Sequence, residues 1–383
     1  MGKAVIVGAG FSGATIARVL AENGYQVDVY EKRDAIGGNC YDYKAENGVI
    51  VQKYGAHLFH TRYPEVMEFI SRFADFFPYK HFVLGSIDGA LVPIPFNLTS
   101  LKTLFPADVA DRLRQVLIDE YGYGAKVPIV QLKESGNPEV RRLAEYVYEK
   151  VFLHYTEKQW HKKLEELDPS VGARVPVSVT DETGYFTDEF QCMPIGGFTP
   201  IFEKILAHPG IRLHLSTDAL PMIQVEGERL YFEGKPCDFP LVWTGCLDQL
   251  LGYKLGVLPY RSLRFEYKDL PEKQFQCCGV VNYPNEYDYT RIIEFKHFTG
   301  QEREGAGTTI AYEYPCDYDL KNTPYYPIPQ QKNNELYARY REEAAKCRNL
   351  YPAGRLAEYR YYNMDQTIYA ALGLAKKILE DNQ

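Results

Sequence analysis

The 383-residue sequence predicts an α/β protein: a Rossmann-like dinucleotide-binding domain with a helical insertion domain and an antiparallel β-sheet domain, the domains discontinuous in sequence. Three observations predict it. Residues 3–31 read as strand, glycine loop, helix, strand and acid; a helix-periodic block fills 100–160; strand-like segments recur between 261 and 314. Lys3-Ala4-Val5-Ile6-Val7 is a short apolar run of buried-strand type and leads directly into Gly8-Ala9-Gly10-Phe11-Ser12-Gly13. Helical spacing follows over 14–23, Gly24 suits the helix stop, and 26–30 reads as a second strand with Glu31 at its carboxyl end. Each residue has a mechanical reason. Gly8 permits a tight turn, Gly10 lets backbone N–H groups approach a pyrophosphate, and Gly13 lets the helix pack closely on the sheet. The positive end of the helix faces the anion, and Glu31 stands where the ribose-binding acid is expected.

The next residues bear on which dinucleotide binds. Glu31 is followed by Lys32-Arg33-Asp34-Ala35-Ile36-Gly37-Gly38-Asn39. An acid, five residues and a Gly-Gly pair resembles flavoproteins of the glutathione-reductase and amine-oxidase type, so FAD is favoured over NAD. An ordinary surface turn is the competing reading of that pair.

Net charge is −8 with no long basic block, which excludes a nucleic-acid partner and requires local arginines for any anionic substrate. The chain is 45% hydrophobic, enough for substantial cores. Its eight cysteines include no CxxC, so reduced thiols in a cytoplasmic protein are expected. The first strand begins at residue 3, leaving no room for a signal peptide, and no apolar run approaches the ~18 residues of a membrane span. The 32 tyrosines suit stacking on a base or sugar face.

Further along, 49–52 reads as a strand leading to Gly55, His57 and His60. A lone histidine is more often structural than catalytic; two at a spacing of three, after a glycine and within a flavin-type domain, make His60 a candidate to face the cofactor. No carboxylate or cysteine stands at ligand spacing, so no metal is expected. Residues 63–77 look helical, and 91–97, rich in proline, reads as an edge or linker. Residues 139–152 form the best helix of the insertion, with Val140, Leu143, Val147 and Val151 on one face. The aromatic 152–160 stretch follows, then a loop with Arg174 near its end, which also suits an exposed surface arginine. Residues 241–246 resemble the late strand that revisits the cofactor. Segments 261–267, 276–282, 290–298 and 308–314 predict the separate antiparallel sheet. Asn363 and Gln366 have capping-box spacing for a last helix from 364 to about 380. These readings divide the chain into 1–78, 192–252 and 330–383 (nucleotide domain), 97–165 (helical) and 79–96, 166–191 and 253–329 (sheet, with a mobile loop near 166–177).

The motifs GAGFSG with its acid and GGN, YGAHLFHT, YTEKQW, YRSLRFE, TRIIEFKHF, PYYPIP and GRLAEYRYYNMDQ occur in order over almost the whole chain. Together they resemble the bacterial UDP-galactopyranose mutases. That resemblance implies an FAD-dependent isomerase, active when the flavin is reduced. It would interconvert UDP-galactopyranose and UDP-galactofuranose through a flavin N5–galactose adduct and an iminium, for cell-surface glycans. It further implies an external reductant such as NAD(P)H, a homodimer and no membrane insertion. Position by position, His60, Arg174 and Arg291 would be catalytic. Gly8, Gly10, Phe11, Ser12, Gly13, Glu31, Lys32, Gly38, Asn39, His57, His60, Arg355, Asn363 and Met364 would hold the cofactor. Phe152, Tyr155, Thr156, Trp160, Arg174, Tyr185, Phe186, Arg261, Asn282, Arg291, Tyr326 and Tyr361 would hold the substrate. The alternative is an FAD-dependent oxidoreductase of the amine-oxidase type, which leaves the 155–160 cluster and the arginine set without a role.

One departure stands out: the family usually has Asp where this chain has Asn363. Asn caps a helix as well as Asp but removes a negative charge beside phosphates and flavin. Asn363→Asp is therefore expected to fold normally and to change substrate affinity or flavin potential; titration and potentiometry that find both unchanged would contradict this.

Overall fold

The computed structural model describes residues 2–160, 176–301 and 307–382. A five-stranded parallel sheet carries the amino-terminal unit, in the spatial order Ile211–His214, Gln26–Tyr30, Lys3–Val7, Leu241–Trp243, Leu350–Pro352. Its central strands are nearly continuous apolar runs because both faces are covered: Val5, Ile6, Leu241 and Val242 are fully buried. The helix Phe11–Glu22 follows the first strand and packs on the last helix, Met364–Asp381. Both helices bury small residues, Ala14 and Ala17 on one and Ala371 and Ala375 on the other.

The glycine loop behaves as the sequence predicts. Gly8 has φ +105°, and a Cβ there would stand 2.0 Å from Thr244 Oγ1. A Cβ on Gly13 would stand 1.9 Å from the Gly8 carbonyl oxygen. The same helix is held on its other flank by Phe11 against Phe202, ring centroids 4.5 Å apart. Phe202 belongs to helix Thr199–Leu206, whose first N–H groups are capped from afar: Asp42 accepts from Phe198 and Thr199 N–H at 2.5 and 2.9 Å.

The second unit is a seven-stranded sheet in the order Tyr326–Pro327, Tyr260–Leu270, Thr308–Asp317, Arg291–Glu294, Val280–Asn282, Val83–Ile87, Ala90–Ile94. It is not wholly antiparallel as expected: Val280–Asn282 runs parallel to Val83–Ile87. Ala90–Ile94, with its proline, is the edge strand its composition requires. Residues 276–278 are not in the strand read there, because the Gln276 N–H donates to the Glu294 carboxylate at 2.8 Å instead of to a ladder. The strand from Arg291 ends at Glu294, and Phe295–His297 is a 3₁₀ turn.

The insertion is helical: Leu98–Leu104, Ala107–Tyr121, Ile129–Lys133, Pro138–Val147 and His154–Trp160, with a π-helical turn Tyr148–Leu153 before the last. Val140, Leu143, Val147 and Val151 are all buried, as the periodicity predicts. Residues 63–77 are not one helix. Pro64–Ser71 is helical, whereas Phe76–Pro78 is a strand paired with Phe190–Pro194, which also pairs with Phe59–Thr61. The aromatic run 76–77 is only half-buried in that three-stranded sheet, and it is strand pairing that overrides the local pattern.

Gly13→Ala is expected to overpack the strand–helix junction at a cost of roughly 2–3 kcal/mol and to lower cofactor retention. Thermal melts and flavin absorbance of the purified variant measure both; parental values for each would contradict the packing argument.

Candidate active site

A cleft of about 450 Å³ opens at the carboxyl ends of the parallel strands. Gly8, Gly10, Phe11, Ser12, Gly13, Glu31, Lys32, Gly38, Asn39, His57, Arg355 and Met364 all line it. His60 and Asn363 do not. Gly10 faces Gly38, where φ is +57° and a Cβ would stand 3.1 Å from the Gly10 Cα, so two bare backbones form one wall of the cleft. Glu31 is buried, and its carboxylate accepts from Ala9 N–H at 2.9 Å and Arg33 N–H at 3.0 Å. It thus ties the end of the second strand to the glycine loop. The start of the helix Phe11–Glu22 beside the bare glycine wall fits a pyrophosphate, and the acid stands where the ribose of a dinucleotide would lie. Among the described residues, no group of three or more His, Cys, Asp or Glu side chains could hold a metal.

A second group of predicted residues meets where the helical insertion approaches the seven-stranded sheet. Arg291 donates to the Tyr155 hydroxyl at 2.6 Å, and its Nε lies 3.1 Å from Glu313 Oε1 across the strand pair. Burial by itself would lower the Arg291 pKa; Glu313, with Tyr155 and Tyr326, outweighs it, so the guanidinium is held more firmly charged. Burial pushes the Tyr155 phenol up to about 12 against the pull of the Arg291 cation. Tyr326 and Tyr361 stack 5.7 Å apart, and the Arg355 guanidinium lies 5.1 and 5.0 Å from their ring centroids. Arg355 also donates to the Tyr362 and Tyr325 carbonyls. Phe152 is buried in the π-helical turn, and Thr156 follows Tyr155 on the next helix, half-buried. Asn282 pairs with Arg291 across the strands, and its buried Oδ1 has no protein partner. Arg261 is 4% exposed; it donates to Asp317 at 3.0 Å, while its Nε and one Nη are buried without partners.

His60 is buried, its Nδ1 2.7 Å from Asp188 Oδ2, with the Phe186 ring stacked on it at 3.7 Å. Tyr185 meets Phe186 edge-on at 5.1 Å. The last helix starts at Asn363, whose N–H donates to Gln366 Oε1 at 3.0 Å, the reciprocal half of a capping box. Arg174 and most of the loop around it lie outside the described residues, as does the side chain of Trp160.

The family model described as UDP-galactopyranose mutase matches residues 150–361, and an NAD(P)-binding Rossmann-like domain model matches 6–73. A UDP-galactopyranose mutase of Mycoplasma pneumoniae is 36% identical, covering 98% of this chain and 96% of the relative. The chain belongs to the UDP-galactopyranose mutase family. A dTDP-fucopyranose mutase of Escherichia coli is 33% identical over the full length of both chains. A solved structure titled reduced UDP-galactopyranose mutase shares the fold with a TM-score of 0.74 at 18% identity, over 99% of this chain and 94% of that one.

Several residues of this mutase-family site were not singled out from sequence. Thr244 donates to the Val7 carbonyl at 2.7 Å and lines the cleft beside Thr217–Leu220, Tyr318 and Leu320–Tyr325. Glu313 and Asp188 are the carboxylates behind Arg291 and His60. Only cross-strand register joins Glu313 to Arg291, and register is not visible in a linear pattern.

Two predictions follow from the electrostatics. Glu313→Gln removes the partner of Arg291 and is expected to cost about 3 kcal/mol in urea unfolding; a parental midpoint would contradict the pairing. Burial, with Arg355, lowers His57 to about 4, and burial, with Arg291 and His60, lowers His81 to about 3. Both rings stay neutral in the folded chain but take up protons near pH 6.5 when unfolded, so their stabilisation is whole above about 6.5 and is lost as pH falls toward 4. The parent protein should therefore lose more of its urea midpoint between roughly pH 7 and pH 4.5 than His81→Gln does; equal losses would contradict the assignment.

Proposed function

We propose that this protein interconverts UDP-galactopyranose and UDP-galactofuranose, with FAD in the glycine-lined cleft and active in its reduced form. The observation that carries this reading is the convergence of Arg291, Tyr155, Tyr326, Tyr361 and Arg355 next to a dinucleotide cleft, in a chain of this family. Such a set suits a second, anionic ligand beside the cofactor, and a redox enzyme acting on an amine has no use for it. When bound, the reduced flavin supplies a nucleophilic nitrogen, N5, for the anomeric carbon, so the sugar changes ring size with no net oxidation.

The chain's own residues do the rest. Arg291, held charged by Glu313, and Arg174 grip the pyrophosphate through charge-assisted bonds and offset the charge that develops as UDP departs. Tyr326 and Tyr361 donate hydroxyls to the same phosphates, and Arg261 and Arg355 add positive charge near cofactor and substrate. Phe152, Tyr155, Thr156, Trp160, Tyr185, Phe186 and Asn282 enclose the uridine. The Asn282 oxygen that lacks a protein partner can accept from the nucleoside. His60 would lie against the flavin, and the amino end of the last helix would stabilise negative charge on the flavin. An external reductant such as NAD(P)H, a cytoplasmic homodimer and a role in supplying galactofuranose to cell-surface glycans complete the reading.

The full-length likeness to a dTDP-fucopyranose mutase makes the nucleotide sugar the point to test. Offered both substrates with reduced flavin, the protein is expected to convert the UDP-galactose pair at least tenfold faster by kcat/KM, read by chromatography. A preference for the dTDP-fucose pair would transfer the reading to that sugar. Arg174→Ala and Arg291→Ala should each nearly abolish turnover, because each removes charge-assisted bonds of about 1.5–3 kcal/mol. Near-normal kcat/KM in both variants would refute the roles given to them.

A further inference from the structure

We propose that Asp188 is a positioning residue: it holds His60 as the Nδ1–H tautomer, so that the ring presents Nε2 to the active site as a hydrogen-bond acceptor. The inference rests on the reading above, that His60 lies against the flavin. His60 sits in the middle of strand Phe59–Thr61 and is paired with Gln191 of the strand Phe190–Pro194. Two residues before that strand, Asp188 brings Oδ2 to 2.7 Å from the His60 Nδ1. Both side chains are shielded, 9% and 10% exposed.

The carboxylate is itself fixed. Its other oxygen accepts from Arg62 Nε at 3.1 Å, and the Gln191 side chain donates to the Asp188 backbone carbonyl at 3.0 Å. Phe186 stacks on the imidazole at 3.7 Å and 19°, which opposes rotation of the ring away from Asp188. The charged and titratable groups facing His60 are therefore Asp188, with Arg62 behind it, His81 beside it and Asp365 from the last helix. A carboxylate only accepts hydrogen bonds, so the proton belongs on Nδ1 and the neutral ring keeps its lone pair on Nε2. The pair has the form of a carboxylate that orients a histidine working through its other nitrogen, which metal sites use to fix the tautomer. Here the histidine would instead serve a cofactor or sugar group that donates a hydrogen bond.

The test is a double-mutant cycle on the FAD-loaded enzyme with dithionite, using UDP-galactofuranose, alongside the ¹⁵N spectrum of histidine-labelled protein. Asp188→Asn keeps the shape, but its amide can turn and donate to Nδ1, which forces the opposite tautomer. It is expected to lower kcat roughly 10–100-fold while KM stays within about twofold. In the His60→Asn background the same change is expected to do nothing more, since its effect runs through His60. An equal further loss in that background would overturn the proposal and make Asp188 merely structural. A normal kcat in Asp188→Asn beside an impaired His60→Asn would overturn it and leave the reading of His60 standing. A normal kcat in His60→Asn would overturn both. Should Asp188→Asn fail to fold, the parent spectrum still decides. The His60 signals, identified by their absence in His60→Asn, must show Nδ1 protonated and Nε2 bare near pH 8. A proton on Nε2 would refute the proposal.

Discussion

The structure depends on backbones approaching without side chains between them. Gly8, Gly10 and Gly13 bring the first strand, the first helix and the Gly38 turn within contact of one another, and at Gly8 and Gly13 any Cβ would collide with Thr244 or with the loop's own carbonyl. That approach opens the cleft at the strand ends, turns the helix start toward it and lets Glu31 reach back to Ala9. Sheet strands drawn from 3–7, 26–30, 211–214, 241–243 and 350–352 close around the same point, so chain segments far apart in sequence are committed to one anion-binding mouth.

The surface proposed for the substrate is built by a different interaction, the Arg291–Glu313–Tyr155 contact. Arg291 and Glu313 are cross-strand partners in the seven-stranded sheet, and Tyr155 comes from the helical insertion. One charged side chain thus joins two structural units, and its charge is held by an interior carboxylate rather than by solvent. Arg355, between the Tyr326–Tyr361 stack and the cleft, ties this surface to the nucleotide unit. A buried cation of this kind is costly unless an anion accompanies it, and the two unpartnered nitrogens of Arg261 add to the same demand.

Much of this was legible in the sequence because it rests on local rules. The βαβ unit, the Gly24 stop, the buried face of 139–152 and the Asn363–Gln366 cap each follow from spacing and turn chemistry within a few residues. The errors lie where partners are distant. Residues 76–78 form a strand only because 190–194 is there to pair with, and 276–278 stay outside the sheet, where Glu294 captures the N–H groups of Phe275 and Gln276. Asp42, which caps helix Thr199–Leu206 from across the fold, carries no signal near that helix. Glu313 and Asp188 were missed for the same reason: a carboxylate has meaning only beside the cation or ring that the fold brings to it.

The central claim is that a flavin in the glycine-lined cleft serves as a covalent partner to a nucleotide sugar rather than as an electron carrier. Turnover of UDP-galactofuranose by the purified protein, with and without dithionite and with both UDP-sugars separated and quantified, tests it most directly. Conversion to UDP-galactopyranose is expected only when the flavin is reduced, with no oxidised sugar formed. Absence of conversion by the reduced, FAD-loaded protein would contradict it.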